Sequence, residues 1–472
     1  MYCSIIALAG CTTVGPEYRE PQVTVSATFL EPSIGGEAQL DQWWRGFGDA
    51  QLAGLVEQAL QQNLDIEMAA ARIREARALE RAAGASGSPQ VAAEASVTRQ
   101  RISENAIPAP PGSGGGGGGS GFGLPGQEFT TWRAGFDASW EIDLFGRNRR
   151  EREAAAARTG AALWNRRDIE VAVAAEVASA YLRLRTLQGR IANAHSEVAR
   201  LERFERLVGA RARGGLVTGQ DLEQQRSERS AAAAAIPAFQ AQAKAEIHAL
   251  GVLTGQAPGA LASPLAAPAE LAPVPLVPPG LPSDLLRRRP DIRAAERELA
   301  AATADIGVAV ADLYPRISLT AAPALVSTAL GSLLDWGSRS FTAGAALDWP
   351  LFDGGRRRAN IAVRNARQEQ AMIAYRKAVL TALQDVEDSL GRVDGDRRQL
   401  AELEQARATA ARAEEIARTR YRGGLVTLSD VLVAQQRRLS LEEQVIETRG
   451  ALARDTVALV KALGGGWQEN GL

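Results

Sequence analysis

The sequence holds only two cysteines, Cys3 and Cys11, and both lie at its extreme N-terminus. No disulfide framework can therefore form in the body of the chain. The two histidines, His195 and His248, fall in helical patterns, and we assign neither of them a catalytic or metal-binding role. The net charge of −1 gives no reason to expect a nucleic-acid partner. Aromatic residues make up 5% of the chain and alanine supplies much of its apolar content, which favours closely packed helices over a bulky core.

Long apolar segments and catalytic motifs are also missing. Beyond the N-terminus, no segment has the ~18 consecutive apolar residues of a transmembrane helix. A bilayer would have to be crossed by strands closed into a barrel, because unpaired backbone groups are costly in lipid. No nucleophile elbow or metal-ligand cluster appears, and the glycines at 114–119 lack the lysine of a phosphate-binding loop. We therefore expect no catalytic residues, no metal and no cofactor.

The chain is internally duplicated. The string Arg213-Gly214-Gly215-Leu216-Val217-Thr218 recurs as Arg422-Gly423-Gly424-Leu425-Val426-Thr427, an offset of 209 residues (422 − 213). Trp140 and Trp349 have the same offset. Upstream the offset is 226, because the first copy carries an additional glycine-rich loop at 112–123. Each copy is predicted to hold one helix, two strands and a long helical hairpin.

The first helix of each copy is predicted over 50–83 and over 284–311, with Asp49 and Ser283 as N-caps. Strict alternation of apolar and polar residues over 130–144 and over 339–351 predicts two long strands. Shorter strands, at 91–97 and 317–321, are predicted to pair with them.

Two long hairpins are predicted from seven-residue apolar rows. The first would run as a helix over 147–213, roughly 100 Å at 1.5 Å per residue, and return over 219–253. The second would return over 428–463. Pro237 should kink the first return helix. The rows are Val173, Ala180, Leu187, Ala194, Leu201 and Val208; Val177, Leu184, Ile191 and Val198; and Met372, Val379, Val386, Val393 and Leu400.

These patterns leave two architectures open. Four strands are too few to close a barrel, so either several chains share one membrane barrel or the strands form a soluble sheet. Strand lengths near ten residues and tryptophans near the strand ends suit a membrane barrel with an aromatic girdle. Heptad rows alone are equally typical of a coiled-coil rod.

The run Leu8-Ala9-Gly10-Cys11 resembles the lipobox of bacterial lipoproteins, in which the cysteine is acylated. The alternative is a cysteine in an ordinary apolar leader. Only ten residues, none of them basic, precede Cys11, so they would be the remainder of a longer signal. We predict a residual signal segment at 1–10, a lipidated extension at 11–48, repeat one at 49–257, a Pro/Ala-rich linker at 258–283, repeat two at 284–464 and a tail at 465–472.

Several motifs along the whole chain resemble the outer-membrane factor family, the exit ducts of tripartite efflux pumps, and within it the NodT-type lipoprotein branch. The specific motif is LPSDLLRRRPDIRAAE at 281–296. Further matches are Trp43-Trp44, Phe47-Gly48-Asp49, Ile306-Gly307-Val308, Tyr314-Pro315 and Leu351-Phe352-Asp353-Gly354-Gly355.

The resemblance implies a mainly α fold with membrane β strands. Three copies would form a homotrimer with a twelve-stranded outer-membrane β-barrel, four strands from each, that continues into a long periplasmic α-helical barrel. The hairpin tips would dock a periplasmic adaptor coupled to an inner-membrane pump of the resistance-nodulation-division type. The expected location is the outer membrane, in contact with its lipid and anchored through Cys11.

The resemblance also assigns a periplasmic gate. Asp221 and Asp430 match acidic residues that ring the pore, and Tyr421 and Arg422 match residues that tether the closed state. Ala212 stands at the first-copy position of Tyr421. The alternative role for both aspartates is to cap a helix N-terminus.

The two tips are candidates for adaptor docking, although their glycines are also what a tight helix-turn-helix needs. The docking candidates are Gly214, Gly215, Leu216, Val217, Gly423, Gly424, Leu425 and Val426. The expected function is passive conduction of small amphipathic compounds. Two alternatives are an exit duct for secreted proteins and a periplasmic coiled-coil scaffold.

Overall fold

The computed structural model describes residues 13–23, 26–31, 40–103 and 127–467. Cys11 and the whole glycine-rich loop at 112–123 therefore lie outside the described residues. The helices are α1 (Ala50–Gln62), α2 (Leu64–Ala85), α3 (Arg147–Arg213), α4 (Gly219–Leu253), α5 (Leu285–Arg288), α6 (Pro290–Ala311), α7 (Arg356–Arg422) and α8 (Leu428–Ala462). The strands are β1 (Gln90–Arg101), β2 (Glu128–Ile142), β3 (Arg316–Ser327) and β4 (Arg339–Asp348).

Across the described residues, none of the helices combines the length and apolar character needed to cross a membrane.

The chain forms two compact units, and each draws on both halves of the sequence. The strand unit comprises Met1–Arg19, Ala76–Thr159 and Glu298–Ala371, and the helix unit comprises Glu20–Glu75, Gly160–Arg297 and Met372–Leu472.

The strand unit contains one antiparallel sheet in the order β1-β2-β3-β4. The predicted long strands are confirmed, but the predicted short partners are wrong in length, because β1 and β3 each have 12 residues. β1 stays in register with β2 from Gln90 opposite Ser139 to Arg101 opposite Glu128. β4 ends at Asp348, just before Trp349-Pro350, where proline has no N–H to continue a ladder. Within the described sheet, β1 and β4 each have one unpaired edge.

In the helix unit, the predicted helix over 50–83 is interrupted at Asn63. The Asn63 side chain accepts hydrogen bonds from the backbone N–H groups of Asp65 and Ile66 and so starts α2. Asp49 is confirmed as the N-cap of α1, since its carboxylate accepts from the N–H groups of the helix's first turn, at 2.9 and 3.1 Å.

The second-copy helix begins differently from the prediction. Ser283 lies inside a short 3-10 turn, and the residue that precedes α5 is Asp284, so the predicted N-cap is wrong. Arg289 adopts an extended backbone between α5 and α6 because the residue before a proline avoids the helical region. Pro290 then occupies the first position of α6, where its missing N–H costs nothing.

The long helices repeat each other with one offset. α3 and α7 have 67 residues each, α4 and α8 have 35 each, and all four pairs of ends differ by 209 residues. Most members of the predicted apolar rows are buried, and Val177, Leu184 and Val386 are fully covered. The half-buried members are Ile191, Ala194, Val198, Met372 and Leu400. Pro237 lies inside α4, which continues through it as one helix.

Candidate functional site

The tips of the two hairpins in the helix unit are the candidate site, and both are closed by the same turn. In the first tip, the N–H of Leu216 donates to the carbonyl of Arg211 at 2.9 Å, and Gly215 has φ +71°. In the second, Leu425 donates to Arg420 at 2.9 Å, and the glycine before it has φ +73°. This hydrogen bond spans six residues and encloses one residue in the left-handed conformation, which is the Schellman motif at the C-terminus of a helix. Glycine adopts the left-handed conformation without strain.

A reciprocal capping box follows each turn. The carboxylate of Asp221 accepts from the N–H of Thr218 at 2.9 Å and from its hydroxyl at 2.8 Å, while the N–H of Asp221 donates back to that hydroxyl. Thr427 and Asp430 repeat the arrangement at 2.8 and 2.7 Å. The hydrogen bonds from Thr427, first from its side chain and then from its backbone, lower the pKa of Asp430. The capping role that the sequence left open for both aspartates is therefore confirmed.

The apolar residues of the turns face in two directions. Leu216 is 70% exposed and Leu425 is 77% exposed. Val217 and Val426 instead pack against a small apolar cluster beneath the tips. The leucines are therefore the apolar side chains that face water at each tip, and the valines hold the turn against the helices. The buried members of the cluster are Phe204, Val208, Tyr421, Leu428, Val431 and Leu432.

Tyr421 links the two hairpins inside this cluster. Its ring lies 5.7 Å from that of Phe204, and the guanidinium of Arg211 lies 4.7 Å above it. Arg211 also donates to the carbonyl of Tyr421 at 2.7 Å. The hydroxyl is buried and has no hydrogen-bond partner among the residues that the structure describes. Burial raises the pKa of Tyr421, and the charge of Arg211 opposes it. Arg422, by contrast, is exposed.

A buried ionic network above the tips was missed by the sequence analysis. Arg438 of α8, 4% exposed, donates to Glu197 of α3 at 2.6 Å, to Glu442 at 2.5 Å, and also to Glu414 of α7. Burial alone would lower the pKa of Arg438, but the hydrogen bond with Glu442 and the charge of Glu197 raise it. Arg200 adds a second contact to Glu197 at 2.7 Å. The network joins α3, α7 and α8 through Glu197, Glu414 and Arg438, all three of which are buried.

The apolar rows contained a signal for this network. The row through Val177 and Val198 places Glu205 seven residues after Val198. The row through Val386, continued at the same spacing, places Glu414 at the equivalent position of the second copy. A charged residue in an apolar row requires a buried partner. In copy one Glu205 pairs with Arg226 and Arg229, each at 3.3 Å, but these arginines are 49% and 38% exposed, so the corresponding pairs are not buried.

The motif at 281–296 has a structural role in the helix unit. Arg289, 9% exposed, donates to the carbonyl of Ala462 at 2.9 Å, which satisfies a free acceptor at the end of α8. It also pairs with Asp291 at 2.7 Å and with Asp385 at 3.1 Å. The motif therefore ties the end of α8 and the start of α6 to the middle of α7.

The residues after Cys11 form a strap within the strand unit. Val14 donates to the carbonyl of Phe145 at 3.1 Å, and Arg149 donates to the Thr13 hydroxyl at 2.7 Å. Gly15 lies so close to Gly307 that a Cβ on it would stand 2.4 Å from the Gly307 Cα.

Among the described residues, no group of three or more His, Cys, Asp or Glu side chains is placed to hold a metal ion.

A four-stranded sheet with unpaired edges and two duplicated long hairpins together define the class of outer-membrane efflux channels. The chain belongs to the outer membrane efflux protein family, whose model matches residues 55–256 and 281–465. It is 33% identical to the pyoverdine export outer membrane protein OpmQ of Pseudomonas aeruginosa over 449 residues, 94% of this chain and 91% of that protein. It is 29% identical to the probable outer membrane lipoprotein SilC of Salmonella typhimurium, over 99% of this chain and 98% of that protein.

Solved structures give the same assignment. The outer-membrane channel OprN superposes with a TM-score of 0.88 at 32% identity, covering 96% of this chain and 99% of that one. The open state of the MtrE outer membrane channel of Neisseria gonorrhoeae superposes with a TM-score of 0.80 at 26% identity, covering 96% of this chain and 98% of that one.

The predicted fold class and function are confirmed by these relatives. The chain has the mainly helical fold of the trimeric channels, with four strands per copy, and it is an outer membrane component of an efflux pump. The family consists of passive channels, not enzymes. The scaffold and secretion alternatives are set aside, because the named relatives serve efflux.

Proposed function

We propose that the chain is a lipid-anchored exit duct, gated at its hairpin tips, that receives small amphipathic compounds from a periplasmic adaptor and an inner-membrane pump of the resistance-nodulation-division type. The observation that carries the gate is the pair of capping boxes, which hold Asp221 and Asp430 at the N-termini of α4 and α8. Threefold assembly would bring three copies of each carboxylate around one axis, where like charges focus the field on cations.

The same tips supply the docking surface in this proposal. Leu216 and Leu425 are exposed beside glycines with positive φ, and these glycines accept no side chain without strain. An adaptor that inserts apolar side chains against the two leucines would bury surface that now faces water. Arg422, exposed beside the second turn, adds a positive charge to that surface.

The proposed lipid anchor rests on the contacts of the N-terminal residues. The proposed substrates rest on the named relatives. The strap at Thr13–Gly15 would hold an acylated Cys11 beside the strand unit. One relative is named for toluene efflux and another for pyoverdine export, so we infer a small-molecule cargo and not a protein.

The gate is tested by conductance in planar bilayers. We expect Asp430→Ala to raise conductance and to reduce selectivity for cations. Asp430→Asn should change selectivity similarly while an amide oxygen still accepts the capping bonds. Thr427→Ala is the matched control, because it removes the cap, worth about 1 kcal/mol, and leaves the charge. Unchanged selectivity in Asp430→Asn, or an equal change in Thr427→Ala, would count against the gate.

A further inference from the structure

The two long helices α3 and α7 start from the same end of the sheet in the strand unit. β2 ends at Ile142 and passes into α3, and β4 ends at Asp348 and passes into α7. β2 and β4 run in the same direction, because each is antiparallel to the β3 between them. We call residues 143–146, between β2 and α3, the first junction, and residues 349–355, between β4 and α7, the second junction.

A tryptophan is held in the same way beside each junction. The indole N–H of Trp140 donates to the carbonyl of Gly87 at 3.0 Å, and that of Trp349 donates to the carbonyl of Leu313 at 3.2 Å. The two acceptors are equivalent at the upstream offset of 226 residues (313 − 87). Both indole rings are partly exposed. A tryptophan whose N–H is satisfied and whose ring stays exposed suits the boundary between lipid and water.

The arginines that follow the first junction are engaged by the N-terminal strap. Arg149 donates to the hydroxyl of Thr13 at 2.7 Å. Arg150 donates to the carbonyl of Val14 at 3.3 Å and is buried. In copy one, therefore, the chain's own N-terminal residues occupy the place beside the start of α3.

The equivalent place in copy two has no such occupant among the described residues. Arg358 is the equivalent of Arg149 (358 − 149 = 209). Arg358 and the nearby Arg356 are exposed, and neither guanidinium forms an ion pair with a described residue. Just before them, Leu351 and Phe352 are 81% and 91% exposed. The second junction therefore presents two unpaired cations beside two large apolar side chains.

The positive charge at the second junction comes from side chains and not from the end of the helix. The carboxylate of Asp353 accepts from the N–H groups of Gly355 and Arg357, at 3.1 and 3.2 Å, so the first turn of α7 is already capped. Residues 349–368 include five arginines, and Asp353 is their only acidic residue. An anion at this place would meet a local excess of positive charge.

The apolar surface continues from the second junction along β4. Phe341 and Leu347 are both exposed, and their even spacing with Trp349 puts them on one face if the alternation continues past Asp348. In an outer membrane protein, such a strand face is covered by lipid. A ligand that spans this face and the arginines must be apolar at one end and anionic at the other.

We propose that the second junction binds an anionic phospholipid of the outer membrane, with its phosphate on Arg358 and Arg356 and its acyl chains against Leu351 and Phe352. Arginine suits this role because its guanidinium donates two parallel hydrogen bonds to phosphate oxygens. The site rests on the outer-membrane location of the family. Only its comparison with an acylated strap in copy one rests on the proposed function.

Native mass spectrometry of the full-length protein in detergent would test the site by counting bound lipids. The protein is titrated with phosphatidylglycerol, or with phosphatidylcholine of the same acyl chains, and should bind the anionic lipid more tightly. Arg358→Ala should lower the affinity for phosphatidylglycerol about fivefold, the contribution of one arginine beside an anionic lipid surface, and leave that for phosphatidylcholine unchanged. Arg358→Lys keeps the charge and should retain most of the affinity. Phe352→Ala should weaken the binding of both lipids.

Arg367→Ala is the matched control, because Arg367 is exposed on the same helix, ~13 Å beyond Arg358 at 1.5 Å per residue. It should leave both affinities unchanged. Equal affinities of the unmodified protein for the two lipids, or equal effects of Arg358→Ala and Arg367→Ala, would overturn the site. Glycerol phosphate, a headgroup without acyl chains, should bind far more weakly, and binding as tight as that of the lipid would overturn the lipid assignment. No conductance is measured, so failure of the proposed gate would not alter these outcomes.

Discussion

Arg438→Met removes the cation at the centre of the buried network and leaves its carboxylates in place. The side chains of Glu197 and Glu414 are 2% and 6% exposed, so neither can exchange its lost partner for water. Removing one member of such a buried group costs about 3–5 kcal/mol. Arg229→Met is the matched control in copy one, where the arginine and Glu205 are 38% and 19% exposed. That pair should contribute less than about 1 kcal/mol.

Urea unfolding of the detergent-solubilised protein, followed by circular dichroism, would measure both variants at pH 8 and pH 5. In Arg438→Met, Glu197 and Glu414 lose the cation that they share and keep only Arg200, at 2.7 Å, and Arg418, at 2.6 Å. With less positive charge beside them, their carboxylates should take up protons more readily in the folded variant than in the folded unmodified protein. The stability lost in the variant is therefore partly recovered as the pH falls. The deficit relative to the unmodified protein should therefore be largest at pH 8 and smaller at pH 5. Equal losses in the two variants, or a deficit that does not change with pH, would refute this reasoning.

Three further outcomes follow from the helix unit. Burial, reinforced by Asp455, raises the pKa of Asp396 to about 6, so the native state holds this proton more tightly than the unfolded chain and stability is lost as the pH rises from about 4 to about 6. Asp396→Asn should abolish that loss of stability as the pH rises. It should stabilise the protein at pH 8 by roughly 1 kcal/mol after solvent screening, as measured by urea unfolding at pH 8 and pH 5. Gly450→Ala should lower the thermal midpoint, because overpacking costs about 1–3 kcal/mol, whereas Gly54→Ala, which meets open space, should not. Tyr421→Phe should change the unfolding free energy by less than about 1 kcal/mol, since the hydroxyl forms no hydrogen bond among the described residues.

The long helices were predictable because their signals are local and repeated. The apolar rows and the Gly-Gly pair gave the ends of α3 at 147 and 213 without error. The length of β1 was underestimated because its last four residues, Thr98–Arg101, are polar, and their strand state depends on pairing with β2. A segment that becomes a strand only by pairing with a neighbouring strand need not show the alternating pattern of a strand in its own sequence.

The break between α1 and α2 illustrates a different limit. Asn63 lies in a continuous helical pattern, but its side chain caps α2 and donates to the carbonyl of Leu253, 190 residues further along. Nothing near Asn63 in the sequence indicates that carbonyl. Ser283 failed as a cap for a similar reason, because the carboxylate of Asp284 accepts instead from the N–H of Leu281.

The buried network shows that one copy of the duplicated unit predicts the contacts of the other copy only in part. Both copies keep the pair that joins the two helices of one hairpin, Glu205 with Arg229 and Glu414 with Arg438. Only the second copy adds Glu442, where the first has Ala233. Glu197, which brings α3 into the network, corresponds to Ala406 in the second copy. The repeat therefore predicts the ion pair within each hairpin, because both copies keep it. It cannot predict the contact between the two hairpins, because that contact uses residues that only one copy carries.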